Sequence, residues 1–310
     1  MSLRETPAVA RRTVRLAIRD ARTARGFTQD QVAEAMEWSR SKVMRIESGE
    51  HVASRRDLVP LLAHLGIDDE SRVEGLVRAA KAARRQGPQW WDEQRFGDLL
   101  TPAMKQWFTY EAEATSILAF NADHFPGFLQ TAQTAGPVLD SFADDLPVEQ
   151  RTARLEARSL RRQALVDRRA PLTMRVLLDE SLLHRTLGRP GALQQQARAV
   201  LDAVLQGWAT VRIAPFTQPS AGTGNFDIAL LGGDGTGDDA AHAVLYRERG
   251  TTDEVVDDPA TLDRYLTVWR RMWDHALDES RSTAMLSARA GQIAGSRAPT
   301  RKRTRGKNAP

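Results

Sequence analysis

Residues 26–50 read GFTQDQVAEAMEWSRSKVMRIESGE, and two short helices joined by a tight turn account for the run. Gly26, with no Cβ to oppose a left-handed backbone, ends a preceding helix. Thr28 is a natural N-cap for a helix that buries Val32, Ala33 and Met36. After Glu37 and Trp38, Ser39 caps a second helix that buries Val43 and Ile46, and Gly49 closes it. Upstream, residues 9–25 (VARRTVRLAIRDARTAR) place Val14, Ala17, Ile18 and Ala21 at helical spacing, with arginines around the rest of the wheel. Downstream, Arg56 to Leu65 carries a stripe through Leu58, Leu61, Leu62 and Leu65, and residues 71–85 read as a fifth helix leading outward. Short helices with turns this tight predict a small all-α domain over residues 1–85.

Arg84–Gly97 (RRQGPQWWDEQRFG) holds a Gly-Pro break and mixed polarity, which predicts a linker over residues 86–106. Helical periodicity resumes at Trp107 and continues through Tyr110, Ala114, Ile117 and Leu118. It breaks at Phe125-Pro126-Gly127 and returns near 128–139, and residues 148–168 form a long Arg-studded amphipathic helix. Then the period changes to two. Residues 172–178 and 211–216 alternate like strands, and a helix near 190–207 lets them pair in parallel. Residues 226–231 and 243–247 flank GGDGTGDDA as an antiparallel hairpin, and a last helix at 259–279 carries Leu262, Leu266, Trp269, Trp273 and Leu277. The fold class expected is an N-terminal all-α helix-turn-helix domain followed by an α+β domain with a small mixed sheet over 107–280. Residues 281–310, small, polar and basic, are expected to be a disordered tail.

Charge is divided unevenly along the 310 residues. The net charge of +4 conceals +5 in residues 1–85, −9 in 86–279 and +8 in 280–310. Basic ends around an acidic middle suit polyanion contact at the ends and a different partner for the middle. The basic side chains are 39 Arg and 5 Lys, a bias that warns against giving every arginine a function. With no cysteine, disulfide frameworks, thiolate zinc sites and cysteine nucleophiles are excluded. No apolar run approaches the ~20 residues of a membrane helix, so a cytoplasmic, nucleoid-associated protein is expected. The six histidines form no HExxH spacing, and neither a P-loop nor a G-x-S-x-G elbow is present. Gly232–Gly237 lacks the strand–turn–helix setting of a phosphate cradle. No catalytic residue, metal site or cofactor is therefore expected, and the protein reads as a non-enzyme.

A helix-turn-helix presents its second helix to the major groove of double-stranded DNA. Residues at the start of the first helix bond phosphate, and the early exposed face of the second reaches base edges. Gln29 and Lys42 suit phosphate. Arg40, Ser41 and Arg45 suit bases, because 41 and 45 share a face and 40 lies beside 41. Ser39, at the helix start, joins them. The matches Gly26-Phe27-Thr28-Gln29, Val32-Ala33, Ser39-Arg40-Ser41 and Ile46-Glu47-Ser48-Gly49 make residues 11–66 resemble the Xre/Cro–repressor family. That resemblance implies a structural ion pair between Arg22 and Glu47, and a dimer on an inverted repeat. A helical protein-interaction domain retaining this fold is the competing reading.

The second half also carries a resemblance. Trp107-Tyr110-Glu111-Ala114, Phe125–Thr131 (FPGFLQT), Arg158-Arg162-Gln163, Asp179-Glu180-Ser181-Leu182, Ile213-Ala214-Pro215-Phe216 and Val244–Glu248 occur in order. They resemble the domain of unknown function behind the helix-turn-helix of WhiJ-type actinobacterial regulators. This implies a repressor of developmental or secondary-metabolism genes, acting as a homodimer and controlled by a small BldB-like partner protein or a ligand. The alternative is an antitoxin-like interaction protein whose DNA binding is mainly autoregulatory. Phe125, Pro126, Gly127, Phe128 and Gln130 read either as an anchored loop or as a partner or ligand surface. Arg158 and Arg162, with Arg161, read as an anion site or as a solvated helix face. Glu180 and Glu248 are candidates to pair with them. The tail Arg297–Lys307 reads as a non-specific DNA contact or as a solubilising terminus.

Overall fold

The computed structural model of the chain describes residues 6–85, 87, 89–168, 170–185, 188–218, 223–232, 242–249 and 252–291. Five helices open it: α1 (Pro7–Ala24), α2 (Gln29–Ala35), α3 (Arg40–Ser48), α4 (Arg55–His64) and α5 (Glu70–Ala83). Thr28, Ser39, Ser54 and Asp69 each accept a first-turn backbone N–H at the start of α2 to α5, satisfying donors that have no partner inside the helix. Gly26 and Gly49 adopt φ of +69° and +83° where α1 and α3 stop. Helix α5 does not lead outward. Its Leu76, Val77, Ala79, Ala80 and Ala83 share one core with Val14, Ile18, Val32, Ile46, Leu58 and Leu62, because its alanines let it lie close along α1.

The stretch expected as a linker belongs to a second core. Trp91, Phe96, Leu100 and Met104 are all buried, the first in a 3₁₀ turn over Trp90–Asp92. Helix α6 (Pro102–Glu113) begins before Trp107. Glycine, proline and charge made 86–106 look like loop, but its aromatic residues pack on one another, with Trp90 5.4 Å from Phe96 and 5.1 Å from Phe108. Past α6, Ile117 and Leu118 lie not on a helix but on strand β1 (Ser116–Asn121), every residue of which is buried. A strand covered on both faces shows no alternation.

The chain continues through α7 (Ala132–Asp140), α8 (Val148–Val166), β2 (Thr173–Asp179), α9 (Ala192–Leu205), β3 (Thr210–Ala214), β4 (Phe226–Leu230), β5 (Ala243–Arg249), β6 (Thr252–Val256), α10 (Pro259–His275) and α11 (Glu279–Gly291). The strands form one mixed sheet in the order β3-β2-β1-β4-β5-β6. β1 pairs parallel with β2 and antiparallel with β4, so that Ala119 lies between Val176 and Asp227. β2 and β3 are parallel across α9, and β4 and β5 are the antiparallel hairpin. With six strands the sheet is larger than the small one expected. Ile117, Ala119, Val176 and Leu178 face Trp107 of α6, Ala157 of α8 and Val200 of α9. Leu118, Phe120, Leu177 and Ile228 face Leu262, Leu266 and Trp269 of α10.

Helix α11 replaces the first part of the expected disordered tail. Leu286 is fully buried, and Ser282 Oγ accepts a hydrogen bond of 3.0 Å from the Ile213 N–H. Leu277 N–H donates to the Ile213 carbonyl at 2.9 Å. β3 is an edge strand, and these two bonds occupy backbone groups that an edge otherwise exposes. The remaining tail, 292–310, and the hairpin tip, 233–241, lie outside the described residues.

Candidate nucleic-acid interface

Helix α3 is anchored on one side and open on the other. Val43, Ile46 and Glu47 are buried, whereas Arg40, Ser41, Met44, Arg45 and Ser48 are exposed. The anchor is ionic as well as apolar. Arg22 of α1 reaches Glu47 through Nε at 2.6 Å and Nη2 at 3.1 Å, and its Nη1 donates to the Phe27 carbonyl at 2.7 Å. One guanidinium thus ties α1, the entry to α2 and the base of α3. The bidentate fork fixes orientation as well as distance.

Around the open face, each cation has an acidic neighbour. Arg40 lies 3.5 Å from Asp30 and Arg45 lies 3.7 Å from Glu50. Lys42 lies 3.3 Å from Asp57, with its Nζ 3.8 Å above the Trp38 ring. Surface pairs of this kind contribute only about 0–1 kcal/mol, so each is weakly held. Ser39 caps α3 by accepting from the Lys42 N–H at 3.3 Å. Gln29 is differently placed, since its Nε2 donates to Glu47 Oε2 at 2.8 Å, which commits the amide to the anchor.

Two features were missed from sequence. Met44 is 47% exposed between Ser41 and Ser48 on the open face, an apolar side chain left in solvent. Its only signal was being out of phase with Val43 and Ile46. In the turn, Glu37 takes φ of +55°, a left-handed conformation that costs a residue with a Cβ about 1–2 kcal/mol.

The candidate surface in the second half is interior. Phe125, Pro126, Phe128 and Gln130 are buried and Gly127, Arg158 and Arg162 are half-buried, because the loop lies on the arginines of α8. Arg161 stacks on Phe128 at 4.9 Å and holds Glu111 with contacts of 2.5 to 2.8 Å and Asp227 at 3.2 Å. Arg158 lies 3.5 Å from Glu248 and Arg162 is 5.8 Å from the Trp208 ring. Glu180 does not join them; it accepts the Phe216 N–H at 2.8 Å and lies 3.6 Å from His184. Burial pushes the Asp227 carboxyl up to about 6, Arg161 opposing and Glu111 adding to the shift. Burial also works against the charge of Arg161, but Glu111 and Asp227 outweigh it and raise its pKa.

Helix α1 joins the two halves. Its Ala8 packs in the second core, and the Ala8 N–H donates to Glu113 at 2.8 Å. Arg15, almost wholly buried, pairs with Asp257 and donates to the Tyr110 hydroxyl at 3.0 Å, while Arg19 reaches Asp257 at 3.0 Å. Burial alone raises the Asp257 pKa, but Arg15 and Arg19 outweigh it and hold the group below the usual carboxylate value. Among the described residues, no helix is long and apolar enough to cross a membrane, and no group of three or more His, Asp or Glu is arranged to hold a metal ion.

Comparison with family models matches residues 104–288 to a domain of unknown function, DUF5753, and residues 15–74 to a helix-turn-helix domain. The chain belongs to the DUF5753 family. Comparison with curated proteins and with solved structures found no match. The DUF5753 match begins within α6 and ends within α11, and the helix-turn-helix match contains α2 to α4 with the open face of α3. The helix-turn-helix domain of this DUF5753 protein is that of a DNA-binding regulator.

Proposed function

We propose that this DUF5753 protein is a sequence-specific transcriptional repressor that binds double-stranded DNA as a homodimer on an inverted repeat. The observation that carries the reading is the open face of α3, where Arg40, Ser41 and Arg45 project beside Met44 while the opposite face is clamped through Glu47. In this reading Arg40, Ser41 and Arg45 contact base edges, and Lys42 and the α3 start at Ser39 contact phosphate. Gln29 contributes least, because reaching phosphate means giving up Glu47. The resemblance to Xre-type and WhiJ-type regulators supports a cytoplasmic, nucleoid-associated repressor of developmental or secondary-metabolism genes, controlled through the DUF5753 domain. The acidic character of residues 86–279 supports a protein or small-molecule partner for that domain in place of a polyanion.

The test is selection of bound sequences from a random duplex pool, using the purified chain and its Arg40→Ala variant. The expected result is an inverted repeat enriched by wild type and lost in the variant. Enrichment that survives Arg40→Ala removes Arg40 from base reading. No enrichment by wild type overturns autonomous DNA recognition and favours the interaction-protein reading.

A further inference from the structure

The open face of α3 is not uniformly polar. At 3.6 residues per turn, Met44 projects between Arg40 and Ser41, one turn further along the helix. Among the described residues of the helix-turn-helix match, it is the one large apolar side chain left exposed, and it joins none of the apolar clusters. Met36 and Trp38, in the turn just before α3, pack instead against the helix-turn-helix core. Ser48, next along the open face, turns its hydroxyl back on the Arg45 carbonyl at 3.3 Å. Met44 therefore stands between side chains suited to hydrogen bonding and contributes none of that chemistry itself.

A lone exposed methionine is ordinary on most surfaces, but here its position gives it a choice of partner. Base edges in the major groove present hydrogen-bond donors and acceptors, and a single kind of apolar group, the C5 methyl of thymine. A thioether has no donor and is only a weak acceptor. Laid against the amino group of cytosine or the carbonyl of guanine, it removes water and returns no hydrogen bond. Laid against a methyl group, it buries apolar surface on both sides. The unbranched side chain adapts to reach that group, so the contact needs no shift of α3, which the Arg22–Glu47 pair holds at its base.

We infer that Met44 is a specificity residue that selects thymine through its C5 methyl at one base pair of the bound site. The inference rests on the DNA-reading role of α3 and deepens it: Arg40, Ser41 and Arg45 read by hydrogen bonds, and Met44 reads by apolar contact. The same contact distinguishes 5-methylcytosine from cytosine at that base pair, because the modified base carries the same methyl in the same place.

The test uses the full chain and the duplex enriched from the random pool. Each thymine of the site is replaced in turn by deoxyuridine, which deletes the methyl and keeps every hydrogen-bonding group. At one thymine, wild type should lose affinity about fourfold, the fold-change of one buried methyl group. Met44→Ala should bind the thymine and deoxyuridine duplexes equally, and Met44→Leu, still apolar, should keep the difference. With cytosine at that position, 5-methylation should tighten wild type by about the same factor and leave Met44→Ala unchanged. Thermal melting establishes that both variants are folded, and the wild-type comparisons decide the matter if either is not. Indifference of wild type to every deoxyuridine, or a sensitivity that survives in Met44→Ala, overturns the role of Met44 while the enriched site stands. No enrichment by wild type overturns instead the DNA-reading role of α3, and the role of Met44 with it.

Discussion

Arg40 and Arg45 of α3 leave 62% and 60% of their side chains exposed, whereas Arg154, Arg158 and Arg161 of α8 keep 2%, 11% and 9%. Both helices show arginines at helical spacing in the sequence, and the environments give those arginines opposite work. On α3 the guanidiniums sit in solvent beside weakly held carboxylates, so their charge is available to a polyanion. On α8 they are spent inside the protein: Arg161 on Glu111 and Asp227, Arg158 on Glu248, and Arg154 on Asp253 at 3.3 Å. A buried, paired guanidinium offers nothing to a partner, and removing it strands the carboxylates it neutralised.

That contrast is broken most directly by Arg161→Ala. It should cost about 3–5 kcal/mol of stability, read by denaturant unfolding, because Glu111 and Asp227 are left buried without their cation. A loss below about 1 kcal/mol would show that water reaches the network and that α8 is no different from α3. The same network predicts a pH dependence. The folded state holds a proton on Asp227 that the unfolded chain, with its ordinary carboxyl, has already released between about pH 4 and 6. Its contribution is therefore present at low pH and lost as pH rises through about 6. Asp227→Asn should remove a decline on the order of 2 kcal/mol across that window, and identical profiles for wild type and variant would refute it.

Arg45→Ala sharpens the other side. Stability should change by less than about 0.5 kcal/mol, while affinity for the selected sequence falls by about 1–3 kcal/mol and discrimination relaxes. Equal losses on selected and random duplexes would reduce Arg45 to a phosphate contact. The smallest effect is expected in the turn before α3. Glu37→Gly should raise stability by up to about 1 kcal/mol, since glycine accepts the left-handed backbone without strain. A destabilised variant, seen in the same unfolding curves, would mean that the Glu37 side chain supports the turn.

The N-terminal helices were legible because their signals are local. Thr28, Ser39 and Gly49 are read within one turn of the residues they cap, and a helix that is polar on one side shows its period. Strand β1 was not legible for the converse reason: Ser116–Asn121 is covered by helices on both faces, so its composition matches a buried helix as well as a strand. Trp91 and Phe96 read as linker because neighbouring Gly, Pro and charged residues outweigh two aromatic anchors in any composition window. Ser282 and Leu286 gave no sequence signal that they would cover the edge of β3, since that role depends on Ile213, about 70 residues earlier.

The same division holds for function. Sequence alone determined the helix-turn-helix, the residues on its open face and the reversal of charge between the halves, since each depends on spacing along one chain segment. Only the tertiary structure decided which arginines remain available. The free energy of a guanidinium depends on which carboxylates the fold brings within about 3 Å of it and on how much water it excludes, and neither quantity is written in the order of residues along a helix.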